Sequence, residues 1–307
     1  MTAPTDTFLS TAAIGNREDL TDVIYRISPT TTPVLSMASK AKATNTLHEW
    51  QTQDLAAAAS NAQAEGDDAT NKTVTATVRL TNRTQIATKA VQVSGTQRNM
   101  NPAGRKDELA YQMSLASLEL KRDMEYGLTR NDVLATSPRK SRGLPGWIVD
   151  NYNKASDTTL ASYTGNTART KGTTRAFTET ALKDVLQQIY TAGGEPDTIM
   201  MGPAAKQTFS SFTGNATRLD KSEDAKLYAS VEVYVGDFGE ITATPNRFMD
   251  TSDVFVLQSD KLAIAYLRPF STQELAKTGD SDRQMIVVEY TLECRAPKAH
   301  GAVFDVA

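Results

Sequence analysis

One cysteine, Cys294, and two histidines, His48 and His300, are all that this 307-residue chain offers as soft ligands or neutral-pH bases. A single cysteine excludes a disulfide within the chain and suits a reducing compartment. A zinc centre of cysteine and histidine needs about four ligands at short paired spacings, and these three residues are scattered. Cys294 stands between Glu293 and Arg295 in a strand-like stretch. There a thiol behaves as a small hydrophobe unless a histidine folds beside it. The glycine patterns of phosphate and dinucleotide loops are missing, as are the serine elbow and the paired-histidine metalloprotease motif. Asp280 and Asp282 lack the rest of a calcium loop. The Asn-x-Thr triplets at Asn71, Asn82 and Asn215 are incidental in a Thr-rich, unsecreted chain. Paired carboxylates stay open, because their test is a distance in space. The expectation is no catalytic residue, no cofactor and no metal.

Long apolar runs are lacking too. No stretch approaches the roughly 20 apolar residues of a membrane helix, and Met1 to Ser10 has neither the basic nor the apolar part of a signal peptide. A chain that is soluble and cytoplasmic when made, with no membrane partner, is expected. The net charge of −3 excludes an overall polycation that coats nucleic acid, but not a local basic face. Hydrophobic residues make up 39%, somewhat low for a compact protein of this size, so part of the chain is expected to have no core of its own.

The residues that are present fall into a clear order. The first 45 are polar and Thr-rich, with Pro29 and Pro33 around three threonines, and read as an extended arm with one short helix at Leu20 to Ile27. A strand over 46–54 precedes an alanine-rich stretch, Leu55 to Asn71, that holds only one large aliphatic and can bury little. Val74, Ala76, Val78 and Leu80 then alternate with Thr75, Thr77, Arg79 and Thr81, the period of a strand with one wet face. Val91 and Val93 sit on the opposite parity, which predicts a bulge or bend near Thr84 to Lys89. Residues 46–95 together read as a long two-stranded excursion. An isolated hairpin is only marginally stable in water, so this one is expected to lie on a neighbour.

From Gly104 to Arg130 the chain turns helical: Leu109, Met113, Ala116, Leu120, Met124 and Leu128 recur at three- and four-residue spacing. At 1.5 Å per residue this helix would run roughly 40 Å. Ser137 to Gly146 is rich in breakers, and 150–176 reads as a long polar loop. A second helix is predicted over Thr178 to Ala192, stopped by Gly193-Gly194, and a third from Pro203 to about Phe212. Thr198 to Met201 is a short buried strand. Strands are predicted at 231–236, 239–244, 253–258, 261–267, 271–276, 283–293 and 301–306. Between Pro138 and Arg175 stand seven basic residues (Arg139, Lys140, Arg142, Lys154, Arg169, Lys171, Arg175) against Asp150 and Asp157. Two readings stay open: a basic loop facing DNA or a neighbouring subunit, or a solvated loop.

This order of elements, α+β in class, resembles that of the major capsid proteins of tailed bacteriophages, the Hong Kong 97-type fold. Three segments carry the resemblance more closely to the subfamily of the podophage SU-ten: Leu20-Thr-Asp-Val-Ile-Tyr-Arg-Ile-Ser-Pro-Thr-Thr-Thr-Pro-Val-Leu35, Gly143-Leu-Pro-Gly-Trp-Ile148 and Gly194-Glu-Pro-Asp-Thr-Ile-Met-Met-Gly-Pro203. The resemblance implies an N-terminal arm (1–45) and an extended β-hairpin loop (46–100). It implies a peripheral domain with the spine helix (101–139 and 271–307) and an axial domain (140–270). It further implies self-assembly of identical subunits into hexamers and pentamers of an icosahedral head around double-stranded DNA. The implied partners are portal and scaffolding proteins, packaged DNA contacted non-specifically, and a decoration protein. Some members crosslink through a lysine; Lys72 and Lys89 lie in the right region, and nothing marks either as reactive. Tyr25, Trp50, Arg79 and Arg83 are candidate interface anchors, because aromatics and arginine dominate interface energetics; each reads equally well as an ordinary core or surface residue. The rival readings are another virion structural protein (tail tube or decoration subunit) and a carboxylate-dependent hydrolase.

Overall fold

A computed structural model describes residues 28–68, 71–100, 107–212 and 233–307. The helix expected at Leu20 to Ile27 lies outside these. In chain order, α1 (Pro33–Met37) leads into β1 (Ser39–Lys42) and the hairpin β2 (Leu47–Thr52) and β3 (Val78–Arg83). Next come β4 (Gln85–Ser94), α2 (Gly95–Asn99) and the long helix α3 (Glu108–Arg130). The short β5 (Ala135–Thr136), β6 (Arg139–Lys140), α4 (Leu144–Trp147) and β7 (Asn151–Asn153) precede α5 (Glu179–Thr191), β8 (Thr198–Met201) and α6 (Pro203–Ser210). The chain ends in β9 (Val233–Gly236), β10 (Gly239–Pro245), β11 (Asp253–Leu257), β12 (Leu262–Glu274), β13 (Ser281–Cys294) and β14 (Gly301–Phe304).

Two sheets carry the body. One has four strands in the order β1-β12-β13-β4; the other has six, β7-β14-β11-β8-β10-β9. Helix α3 lies across the four-stranded sheet. Asp107 caps it, accepting from the Leu109 and Ala110 N–H groups at 2.9 and 3.4 Å. All six residues of the expected stripe, Leu109 through Leu128, are buried. They pack with Ile264, Ile286, Val288, Tyr290 and Leu292. The helix is 23 residues, shorter at its described start than the expected span, and about 35 Å long at 1.5 Å per residue.

The inner strands of the six-stranded sheet, β14, β11 and β8, are buried on both faces, as near-continuous apolar strands require. Side chains alternate across a strand, and β11 shows it. Val254 and Val256 join a core with Leu182, Val185 and Ile189 of α5, while Phe255 and Leu257 face the core under α3. Gly193, in the left-handed region at φ +88°, ends α5 as expected, and the Gly194 N–H returns to the Ile189 carbonyl at 2.9 Å.

Sheet membership corrects several expected boundaries. The excursion is not one hairpin from 46 to 95. The chain leaves the β2–β3 pair at Thr84, and β4 instead pairs along β13 in the four-stranded sheet. That change of sheet is the physical reason for the parity switch before Val91 and Val93. The strands expected at 261–267 and 271–276 are one strand, β12, with register shifts around Tyr266 to Ser271. Its neighbour β1 stops opposite Tyr266, so Pro269 sits where β12 no longer has a partner on that side and needs no N–H there. The expected domain limit at 270 therefore falls inside β12. Gly301–Phe304, expected with the peripheral part, is an inner strand of the six-stranded sheet, and Ser39–Lys42 of the expected arm is a sheet strand. The loop at 150–176 also holds order, with bridges Thr159–Thr170 and Ser162–Thr167.

Candidate functional site

No cleft with convergent catalytic groups organises the described residues. What stands out is a projecting arm of chain on a fastened root. Residues 53–68 and 71–79 are all exposed. Among them Leu55 is 92% exposed, Val74 87% and Val78 58%. The apolar side of the alternation seen in the sequence thus finds an interior only from Leu80 onward.

The root is fastened by two buried polar hubs. Asn82 occupies the parity of Leu80 and is wholly buried. Its amide donates to the Leu292 and Arg142 carbonyls at 2.7 and 3.0 Å and accepts from the Arg142 N–H at 2.9 Å. Glu289, in the middle of β13, accepts from the Thr84 hydroxyl at 2.8 Å and pairs with Arg139 at 2.7 Å and Arg268 at 2.9 Å. Burial opposes ionisation of this carboxyl, but Thr84 and the two arginines outweigh it and hold Glu289 below the usual glutamate value.

A third hub holds the end of the N-terminal segment. Glu125 of α3 accepts the Val34 and Leu35 N–H groups at 2.8 and 3.0 Å, and the Asn246 amide at 2.7 Å. Burial raises its pKa despite these bonds. The first turn of α1, the spine of α3 and the turn after β10 therefore meet on one carboxylate. Sequence reasoning missed all three hubs. Asn82 on an apolar parity and Glu289 inside the run from Ile286 to Leu292 were legible signals; Glu125, at the margin of the α3 stripe, was not.

The expected interface anchors are placed unevenly. Tyr25 lies outside the described residues. Trp50 turns inward: its indole N–H donates to the Cys294 carbonyl at 2.9 Å, and its ring lies 5.3 Å from that of Trp147. Trp50 is half-buried. Arg79 is exposed, 3.8 Å from Glu49, and Arg83 is half-buried. Asp54, at the start of the projecting arm, pairs back to Lys298 at 2.5 Å.

The basic loop is also largely turned inward, because carboxylates distant in sequence meet it. Arg169 is buried and makes a two-pronged pair with Asp253, both contacts at 2.8 Å, over the Phe304 ring. Arg142 is buried over Trp147 and donates to Asn166 at 2.9 Å; burial pushes its pKa down to about 10. Arg139 serves Glu289, Lys171 pairs with Asp250, and Arg175 donates to the Phe304 carbonyl at 3.3 Å. Arg142 and Arg169 therefore have no surface left to offer, while Arg139, Lys140 and Arg175 are half-buried and Lys171 is exposed. Cys294 is buried in the core, which pushes its thiol pKa up. His48 contacts Glu293 at 2.8 Å.

Known proteins match this chain along nearly its whole length. The sequence profile of the SU10 major capsid protein family matches residues 4–307. The major capsid protein of Escherichia phage Phieco32 is 31% identical over 345 residues, covering 98% of this chain and 97% of that protein. Among solved structures, the Cyanophage A-1(L) capsid asymmetric unit superposes with a TM-score of 0.70 at 12% identity, covering 97% of this chain and 98% of that one. The capsid of a native GTA particle does so at 0.65 and 12% identity, with coverages of 97% and 98%. At that identity the superpositions show the fold, which is of the Hong Kong 97 type. The near-complete profile match and the full-length relative then settle the family: the chain belongs to the SU10 major capsid proteins and is a phage capsid protein.

Proposed function

We propose that this chain assembles through its projecting arm into the hexamers and pentamers of an icosahedral head that encloses double-stranded DNA. Membership of a major capsid family displaces the tail-tube and decoration readings. One observation supports the finer reading most strongly: residues 53–68 and 71–79 present large aliphatics to solvent while their root is held by buried hydrogen bonds. Exposed apolar side chains on a pre-positioned arm are what a neighbouring copy would cover, and repetition around a closed shell multiplies each modest contact. In this reading the β2–β3 hairpin with its arm is the extended loop. The four-stranded sheet with α3 forms the peripheral part, and the six-stranded sheet with α5 and α6 the axial part. Assembly takes place in the host cytoplasm with a separate scaffolding protein, a portal and a decoration protein as partners. Deleting residues 56–76, which lie beyond the root contacts, tests this. The shortened subunit is expected to keep the wild-type circular dichroism and melting temperature yet form no shells by electron microscopy. Shells at wild-type yield from the shortened chain would overturn the reading.

A further inference from the structure

Many basic side chains of the described residues are paired within the chain: Lys89, Arg98, Arg139, Arg169, Lys171, Lys183, Arg268 and Lys277 each meet a carboxylate within 4 Å. Three neighbouring arginines do not. Arg122 and Arg130 stand eight residues apart on α3 with Tyr126 midway, so the three share one stripe of the helix, about 12 Å long. Arg247 precedes Phe248 in the turn after β10, and the Phe248 ring lies against Arg122. Among the described residues none of the three arginines has a carboxylate partner.

The patch is built rather than incidental. The Arg122 guanidinium lies 5.5 Å from the centre of the Phe248 ring, and that of Arg130 4.6 Å from the Tyr126 ring. Stacking of this kind holds the planar group without discharging it. Arg130 donates to the Phe248 and Met249 carbonyls at 2.8 Å each, and Asn246 ties the same turn to Glu125 at 2.7 Å. Of the carboxylates near this stripe of α3, Glu125 is turned inward onto Val34 and Leu35, and Glu119 and Asp123 pair with Lys89. Tyr126 is 51% exposed and Arg247 exposed.

We infer that Arg122, Arg130 and Arg247, with Tyr126 and Phe248, form a contact surface for the phosphate backbone of duplex DNA. A guanidinium fork suits phosphate oxygens, and a duplex carries a charge about every 1.7 Å, so a stripe of this length faces several phosphates whatever the sequence. On a chain of net charge −3 a local cluster of arginines without carboxylate partners lowers the repulsion a polyanion meets. The inference rests on the shell reading, and its test separates the two.

Full-length protein is titrated into a labelled 20-base-pair duplex by fluorescence anisotropy from 50 to 200 mM NaCl. Wild type is expected to bind, with affinity falling as salt rises. R122Q/R247Q is expected to weaken binding at least tenfold at 50 mM and to reduce the slope of log affinity against log salt by about two. K40Q/K42Q removes the same charge from the exposed strand β1 and is expected to leave that slope within experimental error. Arg130 is left intact because it fastens the turn, and circular dichroism checks that each variant is folded. No duplex binding by wild type, or an equal slope for R122Q/R247Q and wild type, overturns the inference. So does tighter binding of a poly-glutamate 20-mer than of duplex, which would assign the patch to an acidic protein segment. Electron microscopy of the same samples reads the shell separately. Shells with no effect of R122Q/R247Q on DNA binding sink only this inference, and absence of shells from wild type sinks the shell reading.

Discussion

Buried polar side chains do much of the positioning in this protein, and His300 is the one whose titration can be read cleanly. It is wholly buried; its Nδ1 accepts the Gln258 N–H at 3.2 Å, and its Nε2 has no partner among the described residues. Burial pushes its pKa down to about 4, against the modest pull of Asp197 and Asp260. The folded value lies below the unfolded one of about 6.5. The neutral ring is therefore the favoured folded form, and its contribution is complete above pH 6.5 and lost as pH falls toward 4. Unfolding free energy measured for wild type and His300→Gln should differ by a constant above pH 6.5. Below it, the wild type should lose on the order of 3 kcal/mol relative to the variant by pH 4. A constant difference across the whole range would show that His300 does not titrate in this way. Glu125, whose pKa is raised, acts with the opposite sign, which is why the comparison is a difference between two proteins.

At the scale of elements, the hairpin root is the decisive piece. The β2–β3 pair is short, and an isolated hairpin has little stability in water. Its attachment comes from Leu80, Asn82 and Thr84, which join it to β13 and to the segment before α4. Asn82→Ala removes a buried donor from the Leu292 and Arg142 carbonyls and the side-chain acceptor of the Arg142 N–H, which costs about 2–4 kcal/mol. Urea unfolding of the unassembled subunit measures this, with the half-exposed neighbour Thr81→Ala expected to cost far less. A loss below about 0.5 kcal/mol for Asn82→Ala would mean that the root is held elsewhere.

Much of this layer was legible in the sequence. The α3 stripe, the α5 stripe with its Gly193 stop, and the strands near 233–236, 239–245, 253–257 and 301–304 follow from spacing alone. The joining of β12 through Pro269 was not legible, because it depends on where β1 ends. Nor was the internal use of Arg169 and Arg139, because their carboxylates, Asp253 and Glu289, are 84 and 150 residues away in sequence. A count of charges along a segment cannot see partners at that distance.

Taken whole, the molecule is a body with two cores and an arm that has none. Both sheets bury most of their apolar residues within the chain, with Ile86, Phe270, Val233 and Val235 exposed at their margins, whereas the arm residues Leu55, Val74 and Val78 all lie in solvent. The resemblance carried by three short segments matches the SU10 family profile over residues 4–307. On the proposed reading the body keeps its own two cores, and the arm gains its burial from a second copy. Hydrogen exchange of backbone amides over residues 53–77, compared between free subunit and assembled shell, tests this directly. Exchange in the free subunit should be close to that of an unstructured chain, and slower by at least an order of magnitude in the shell. Equal protection in both states would contradict it.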